Sequence, residues 1–311
     1  MNERILITGG SGLIGRALTA DLAAAGYEVV VLSRSPEKVT GLPENARAAG
    51  WDGDTADGWG PLADGALGIV HLAGESIAEG RWTDEKKRRI RASRVDSSHA
   101  VLAAIERAAE KPRFLLQGSA VGYYGDRGSE TLDEESSPGE GFLPEVCVEW
   151  EAATEPAEEM GVRRALLRTG LVLAADGGAL AKMVPPYKLG LGGPLGSGEQ
   201  YMPWIHLDDE VGALRFLVEH ADASGPFNLT APNPVTNATF SAALARTLGR
   251  PNLLRAPKFA LRLAFGEMAD ALLQGQRALP AALERIGYRF RFPEIGPALA
   301  DLLGGGEGED R

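Results

Sequence analysis

Residues 5–15 read Ile-Leu-Ile-Thr-Gly-Gly-Ser-Gly-Leu-Ile-Gly, an apolar run that passes straight into a glycine-rich turn opening a helical pattern. Gly9, Gly12 and Gly15 stand at Gly-x-x-Gly-x-x-Gly spacing. A tight turn, a backbone close to a pyrophosphate and a helix lying against its strand each call for a residue without Cβ. The free N–H groups of the helix start, where the macrodipole favours negative charge, would receive the pyrophosphate. Gly9, Ser11, Gly12, Leu13, Ile14 and Gly15 are therefore the expected dinucleotide contacts. A side chain at Gly12 would take the pyrophosphate's place, and its backbone angle is expected to resist valine. The competing reading is a plain strand–helix turn. The context favours the dinucleotide: a strand precedes, Ile14, Leu18 and Leu22 share one helix face, and Gly26 follows as a stop.

The next apolar segment, Tyr27 to Leu32, bears on which dinucleotide. It is β-branched throughout its centre, as a strand buried on both faces should be. An NAD-binding chain usually ends this strand on an acid for the ribose 2′-hydroxyl, and here Ser33-Arg34 stands instead. An arginine takes a 2′-phosphate through charge-assisted hydrogen bonds, so NADP(H) is expected over NAD(H). The alternative for Arg34 is a solvated side chain at a strand end.

The chain has 311 residues, 44% hydrophobic and 24% charged, which suits a globular protein with an ample core. A net charge of −11 argues against wholesale binding to nucleic acid or anionic membrane. One cysteine, Cys147, excludes an internal disulfide and points to a reducing, cytoplasmic setting. No run of about 18 apolar residues exists to span a membrane, and a first strand at residue 4 or 5 leaves no room for a signal peptide.

Strand and helix patterns alternate over the first 175 residues, which predicts an α/β fold with a doubly wound, Rossmann-like parallel sheet. Strands are expected at 68–73, 114–117 and 163–173, with helices from Thr83, as N-cap, to Arg107 and over 145–160. Seven of the ten positions in 189–198 are Gly, Pro or Ser, a loop. Asp208 or Asp209 should cap a helix carrying Val211, Leu214, Leu217 and Val218 inward. The expected division is a nucleotide-binding domain over 1–175, with core strands reaching about 230 at most. A substrate-side region follows over 176–303, ending in a small, mostly helical module at about 251–303. A disordered, glycine-rich acidic tail is expected over 304–311.

Several segments together resemble an extended short-chain dehydrogenase/reductase of the NAD(P)-dependent epimerase/dehydratase superfamily, in the epimerase family protein subgroup with a DUF1731-type C-terminal domain. They are Thr-Gly-Gly-Ser-Gly-Leu-Ile-Gly (8–15), Leu-Ser-Arg (32–34), His-Leu-Ala-Gly-Glu-Ser-Ile (71–77) and Gly-Ser-Ala-Val-Gly-Tyr-Tyr-Gly (118–125). Leu-Arg-Thr-Gly-Leu-Val-Leu (167–173), Pro-Trp-Ile-His-Leu-Asp-Asp (203–209) and Leu-Leu-Gln-Gly-Gln-Arg-Ala-Leu-Pro (272–280) extend the likeness over nearly the whole chain. The resemblance implies that Leu72, Ala73, Gly74 and Glu75 line the adenosine ribose and pyrophosphate. Arg89 and Arg94, in a basic helix that could equally be a solvated face, and Arg168, in the strand of 163–173, are further expected cofactor contacts.

The resemblance also implies a catalytic serine and a Tyr-x-x-x-Lys pair one helical turn apart, the lysine helping the tyrosine exchange a proton. Ser119 occupies the serine's place, beside the cofactor. The helix that should carry the pair reads Pro-Glu-Val-Cys-Val-Glu-Trp-Glu-Ala-Ala (144–153), with Cys147 at the tyrosine position and Glu151 at the lysine position. A carboxylate disfavours a neighbouring thiolate, so ordinary chemistry of the family is not expected from this pair. Candidate replacements are Glu75 as a base and Tyr123 or Tyr124 as an acid. Each has a plainer reading as a loop carboxylate or a packed ring with a hydrogen bond. His206 reads as a structural histidine, and no residue cluster has metal-ligand spacing. Two functions stay open: an NADP-dependent oxidoreductase or epimerase on an unknown small molecule, as monomer or homodimer, or a catalytically silent NADP-binding regulator.

Overall fold

The computed structural model describes residues 3–304. Seven strands form one parallel sheet: β1 (Arg4–Thr8), β2 (Glu28–Ser33), β3 (Ala46–Gly50), β4 (Gly68–His71), β5 (Phe114–Ala120), β6 (Arg163–Thr169) and β7 (Gly225–Leu229). Their order is β7-β6-β5-β4-β1-β2-β3, so the chain leaves β1 in both directions and opens a crevice at the carboxyl ends of β1 and β4. Ile5, Leu6, Ile7 and Val29 to Val31 are fully buried, as strands covered on both faces must be.

Each sheet face has its own core. On one, Leu18 and Leu22 of α1 (Leu13–Ala24) meet Val211, Leu214 and Leu217 of a helix at Leu207–Glu219, over Ile5, Ile7, Val29 and Val31. On the other, Val101, Ala104 and Ile105 of α2 (Asp84–Arg107) pack with Trp51 and Trp59 over Leu6, Val30 and Leu115. The ends of α1 and α2 follow local chemistry. Thr83 caps α2, its hydroxyl accepting the Lys86 N–H. Gly26, at φ +96°, stops α1 by turning its own N–H to Ala23 O and that of Tyr27 to Leu22 O.

Four differences from the sequence reading stand out. The strand expected over 163–173 is broken at Gly170, where a Cβ would lie 2.2 Å from Pro203 O. Leu171–Ala174 then pairs with Trp204–His206 in a separate small sheet. The helix expected at 145–160 starts at Phe142 and ends at Ala152 (α3), with a single turn at Pro156–Glu159. β3 and β7 had no range assigned in the sequence reading, and β7 carries the sheet to Leu229. Gly304 closes the last helix, and the rest of the expected disordered tail lies outside the described residues.

The fourth difference concerns the cap of the helix at Leu207–Glu219, here α4. Neither Asp208 nor Asp209 provides it; His206 does, its Nδ1 accepting the Asp208 N–H at 3.0 Å. Asp209 is thereby free to hold the C-terminal module. Its carboxylate accepts the backbone N–H groups of Arg291 (2.7 Å) and Phe292 (2.8 Å) from a site 1% exposed. Phe292, Ile295 and Leu299 of that module join Leu180, Trp204, Phe240 and Leu244 in a third core.

Asp209→Asn should therefore loosen the module. Exchanging a charged acceptor for an amide costs one charge-assisted hydrogen bond, about 1.5–3 kcal/mol. Urea unfolding should show a lower midpoint, with the near-ultraviolet circular dichroism of the tryptophans otherwise preserved in the native baseline.

Candidate functional site

The carboxyl ends of β1 and β4 are drawn together by glycine geometry. Gly9 adopts φ +68°, and a Cβ there would lie 2.8 Å from the Leu72 carbonyl. A Cβ on Gly15 would meet Gly9 O at 2.3 Å, so the helix start rests directly on the loop. Gly12 differs from expectation: its backbone is extended (φ −76°, ψ 178°), and its Cβ would meet only Gly9 O, at 3.2 Å. Valine is therefore resisted by close contact and by any ligand seated there, and not by the backbone angle. Gly10, which the triplet reading passed over, is the tighter requirement, with Val31 Cγ1 2.6 Å from its Cβ position. Gly12 and Ser11 are exposed, and the N–H groups of Leu13, Ile14 and Gly15 have no acceptor within their helix.

Thr8 and His71, buried and missed in the sequence, fix the two strand ends. The Thr8 hydroxyl accepts the N–H groups of Leu72 and Ala73, both at 3.1 Å. With both lone pairs used, it donates to His71 Nδ1 at 2.6 Å. His71 Nε2 then carries the proton and faces the Ser97 and Ser98 hydroxyls at 3.2 Å. Burial pushes this imidazole down to about 3, so it is neutral. The signal available in sequence was a threonine and a histidine each ending a buried strand.

Arg34 lies exposed at the tip of β2, and no hydrogen bond or ion pair among the described residues engages it. Beside it the Ser33 hydroxyl accepts the Ser35 N–H at 3.2 Å. Leu72, Ala73 and Gly74 line the mouth of the crevice opposite. The helix cations behave differently from one another. Arg94 reaches under the loop after β4, donating to Glu75 O (3.1 Å) and Ile90 O (2.9 Å) with its guanidinium over the Trp150 ring. It holds that loop from beneath. Arg89 is exposed and pairs with Glu75 at 3.2 Å and Glu85 at 2.9 Å.

Glu75 also takes the buried Lys86 ammonium at 2.6 Å. That hydrogen bond, with Arg89 adding to it, holds its carboxyl below the usual carboxylate range. A carboxylate so stabilised is a weaker proton acceptor, and the geometry opposes the role of base read from the sequence.

Ser119, at the end of β5, is 5% exposed, and its hydroxyl donates to Glu151 Oε1 at 2.6 Å. Arg168 closes the other side of that carboxylate with two bonds, Nε to Oε1 at 2.9 Å and Nη2 to Oε2 at 3.0 Å. Its remaining Nη1 donates to the Tyr124 hydroxyl (3.1 Å) and Glu134 O (3.2 Å). Tyr124 in turn donates to Asn228 Oδ1 at 2.8 Å, with burial raising its phenol to about 12. Arg168, expected as a cofactor contact, is 4% exposed and fully occupied inside this network. Cys147 lies next to it, raised to about 12 by burial first and by Glu151 second, an inert thiol. Tyr123 is only half-buried; its ring sits 3.6 Å below the Arg168 guanidinium and edge-on to Tyr124. No hydrogen bond among the described residues engages its hydroxyl. Glu210 is a further group the sequence did not point to: fully buried, it accepts the Thr169 hydroxyl at 3.0 Å on one oxygen, and its other oxygen has no partner among the described residues. No cluster of three His, Cys, Asp or Glu side chains among the described residues is placed to hold a metal, and no described helix is long and apolar enough to cross a membrane.

Comparison with known proteins gives concordant matches. The model of the NAD dependent epimerase/dehydratase family matches residues 5–230, and that of a domain of unknown function, DUF1731, matches residues 256–302. The epimerase family protein Mb2239 of Mycobacterium bovis is 44% identical over 299 residues, 96% of this chain and 97% of that protein. The epimerase family protein YfhF of Bacillus subtilis is 38% identical over 309 residues, 96% of this chain and 97% of that protein. The crystal structure of human epimerase family protein SDR39U1 (isoform 2) with NADPH superposes with a TM-score of 0.88 at 34% identity. It covers 97% of this chain and 99% of that one.

Glu210 gives the site a pH signature in stability. Burial raises its carboxyl from 4.5 to about 8, so the native state holds a proton that the unfolded chain has released above 4.5. Stability from this group is complete below pH 4.5 and is lost as pH rises through 8, by at most about 1.4 kcal/mol per pH unit. His71 has the opposite slope up to its ordinary 6.5, because there the unfolded chain holds the extra proton. The two offset one another until pH 6.5, and the net fall is concentrated between 6.5 and 8. Urea titrations of the wild type and Glu210→Gln should show that fall between pH 6.5 and 8 in the wild type only, the variant staying flat there while keeping the His71 rise below 6.5.

Proposed function

Since the chain belongs to the NAD dependent epimerase/dehydratase family, we propose that it binds NADP(H) across the carboxyl ends of β1, β2 and β4 and acts on a small molecule as an oxidoreductase or epimerase. The observation that carries the phosphate preference is Arg34. It is an exposed cation without an acidic partner among the described residues, at the strand tip where a ribose-binding acid would otherwise stand. The cradle fits the group: Gly12 has space that a side chain would fill, and three first-turn N–H groups face it without acceptors. In this reading Gly9, Ser11, Gly12, Leu13, Ile14 and Gly15 hold the pyrophosphate. Ser33 and Arg34 take the 2′-phosphate, Leu72 to Gly74 allow close approach of the adenosine half, and Arg89 exchanges Glu75 for a phosphate oxygen. When bound, the nicotinamide supplies or removes a hydride. A single buried thiol suits a cytoplasmic setting, and the chain works as a monomer or homodimer.

Proton traffic falls to Tyr123. Ser119 points its hydrogen at Glu151, Cys147 stays protonated, and Glu75 is held by two cations. Tyr123 is half-buried next to the end of β5, with no hydrogen bond to its hydroxyl among the described residues, and is held in place by the Arg168 cation over its ring. Ser119, through Glu151 and Arg168, then acts as a positioning residue. The same burial of Ser119, Glu151 and Cys147 favours a second reading, a binding protein whose NADP(H) state signals to a partner without turnover.

Calorimetry should show NADPH binding more tightly than NADH, with Arg34→Ala removing the preference by about 1.5–3 kcal/mol, roughly ten- to a hundredfold. Equal affinities in the wild type, or a preference that survives the variant, would overturn the assignment. A panel of aldehydes, ketones and quinones then separates the two functions. Tyr123→Phe should lower NADPH oxidation about a hundredfold while leaving NADPH affinity unchanged. No oxidation of NADPH with any of them in the wild type would favour the silent reading.

A further inference from the structure

Eight large hydrophobic side chains are substantially exposed among the described residues, and seven of them fall in two short segments. Leu189 (75%) and Leu191 (59%) lie in one, and Leu253 (81%), Leu254 (50%), Phe259 (74%), Leu263 (75%) and Phe265 (40%) in the other. The segments touch. A Cβ on Gly193 would collide with Leu254 O, one on Gly190 would lie 3.9 Å from Pro251, and Leu195 bridges to Ala256. The second segment continues into a helix at Lys258–Phe265, where Phe259 and Leu263 are one turn apart and Leu261 alone points inward. So many exposed apolar side chains in one region exceed what a solvated surface carries without purpose.

The charge of the same region is inverted relative to the chain. Overall there are 43 acidic against 32 basic residues, yet stretches 177–198 and 223–266 contain no Asp or Glu. Lys188, Arg250, Arg255, Lys258 and Arg262 stand beside the exposed leucines and phenylalanines. Arg262 is neutralised by Asp270 at 2.8 Å, and Arg255 donates to the carbonyls of Gly196 and Ser197. Lys188, Arg250 and Lys258 pair with no acid among the described residues. The net charge of −11, which argued against anionic surfaces, averages over this segregation.

From the apolar face and its basic rim we infer that the region around 188–191 and 250–265 docks on an anionic lipid bilayer, the leucines and phenylalanines entering the headgroup boundary and the cations meeting lipid phosphates. An amphipathic helix with Phe and Leu on one side and Lys and Arg beside them is the composition that lies in a membrane interface. A second copy in two-fold contact would bring basic rim against basic rim, which disfavours that occupant. The bilayer would present the protein to a small molecule partitioned into lipid, but the docking itself needs no turnover.

The test is cosedimentation of the full chain with phosphatidylcholine vesicles, with and without roughly one-third phosphatidylglycerol. The wild type should bind the anionic vesicles at least tenfold more than the neutral ones, and less as salt is raised. Phe259→Ser with Leu263→Ser, and separately Lys188→Glu with Lys258→Glu, should each reduce that binding at least tenfold with an unchanged thermal unfolding midpoint, all four side chains being exposed. Equal binding to both vesicle types, or full binding by both double variants, would overturn the proposal. So would a wild-type dimer in sedimentation equilibrium that the serine pair dissociates while vesicle binding is absent.

Discussion

The ion pair between Glu151 and Arg168 ties α3, β5, β6 and, through Tyr124, β7 together. It joins a helix to a central strand, takes the hydroxyl of Ser119 from β5, and through Tyr124 reaches Asn228 on β7. Buried pairs add little net stability, since desolvation offsets attraction; the loss of one partner, however, strands the other at several kcal/mol. What such a pair supplies is a fixed position. Two parallel bonds to a planar guanidinium leave the carboxylate no alternative orientation, and every group bonded to either inherits that constraint. The Tyr123 ring lies beneath the same guanidinium, so this half-buried phenol is positioned by the cation stacked on its ring.

That network also accounts for the acid at position 151. A lysine at position 151 would place a second cation against Arg168, and the two could not share a buried site. A carboxylate at 151 and an arginine at 168 are one solution taken together. Cys147, one turn earlier on α3, is then left beside an acid in an apolar pocket, with its proton retained.

What was legible in the sequence was local. A glycine turn, the Thr83 cap and the Gly26 stop each depend on residues within a few positions of one another, and the alternation of buried strands and amphipathic helices gave the parallel sheet. What escaped was non-local. His206 outcompetes Asp208 and Asp209 as a cap because Asp209 is needed by Arg291 and Phe292, more than 80 residues away. β3 reads Ala-Arg-Ala-Ala-Gly, too weak a pattern to announce itself, and takes its form from pairing with β2. At the site, Ser119 was located by its place at a strand end, but its partner could only be seen once α3 and β6 were brought together. Gly10 was missed because its need for a bare Cα comes from Val31, on another strand.

The two halves of the molecule are specified differently, and the difference follows from what each has to hold. The nucleotide half is over-determined: three glycines without room for a Cβ, a threonine using every hydrogen-bonding position, and a neutral histidine locked between three hydroxyls. A rigid frame of this kind suits a ligand of constant shape, because pre-organisation removes the entropic cost of ordering the site. The region around 188–198 and 250–265 is built from a glycine-rich loop and a short helix, with apolar side chains turned to solvent. Surfaces like that tolerate a variable or extended partner, whose own apolar area completes the burial. The rigid frame and the apolar, basic surface are thus carried by different stretches of one chain, the first at the carboxyl ends of β1 and β4 and the second around 188–191 and 250–265.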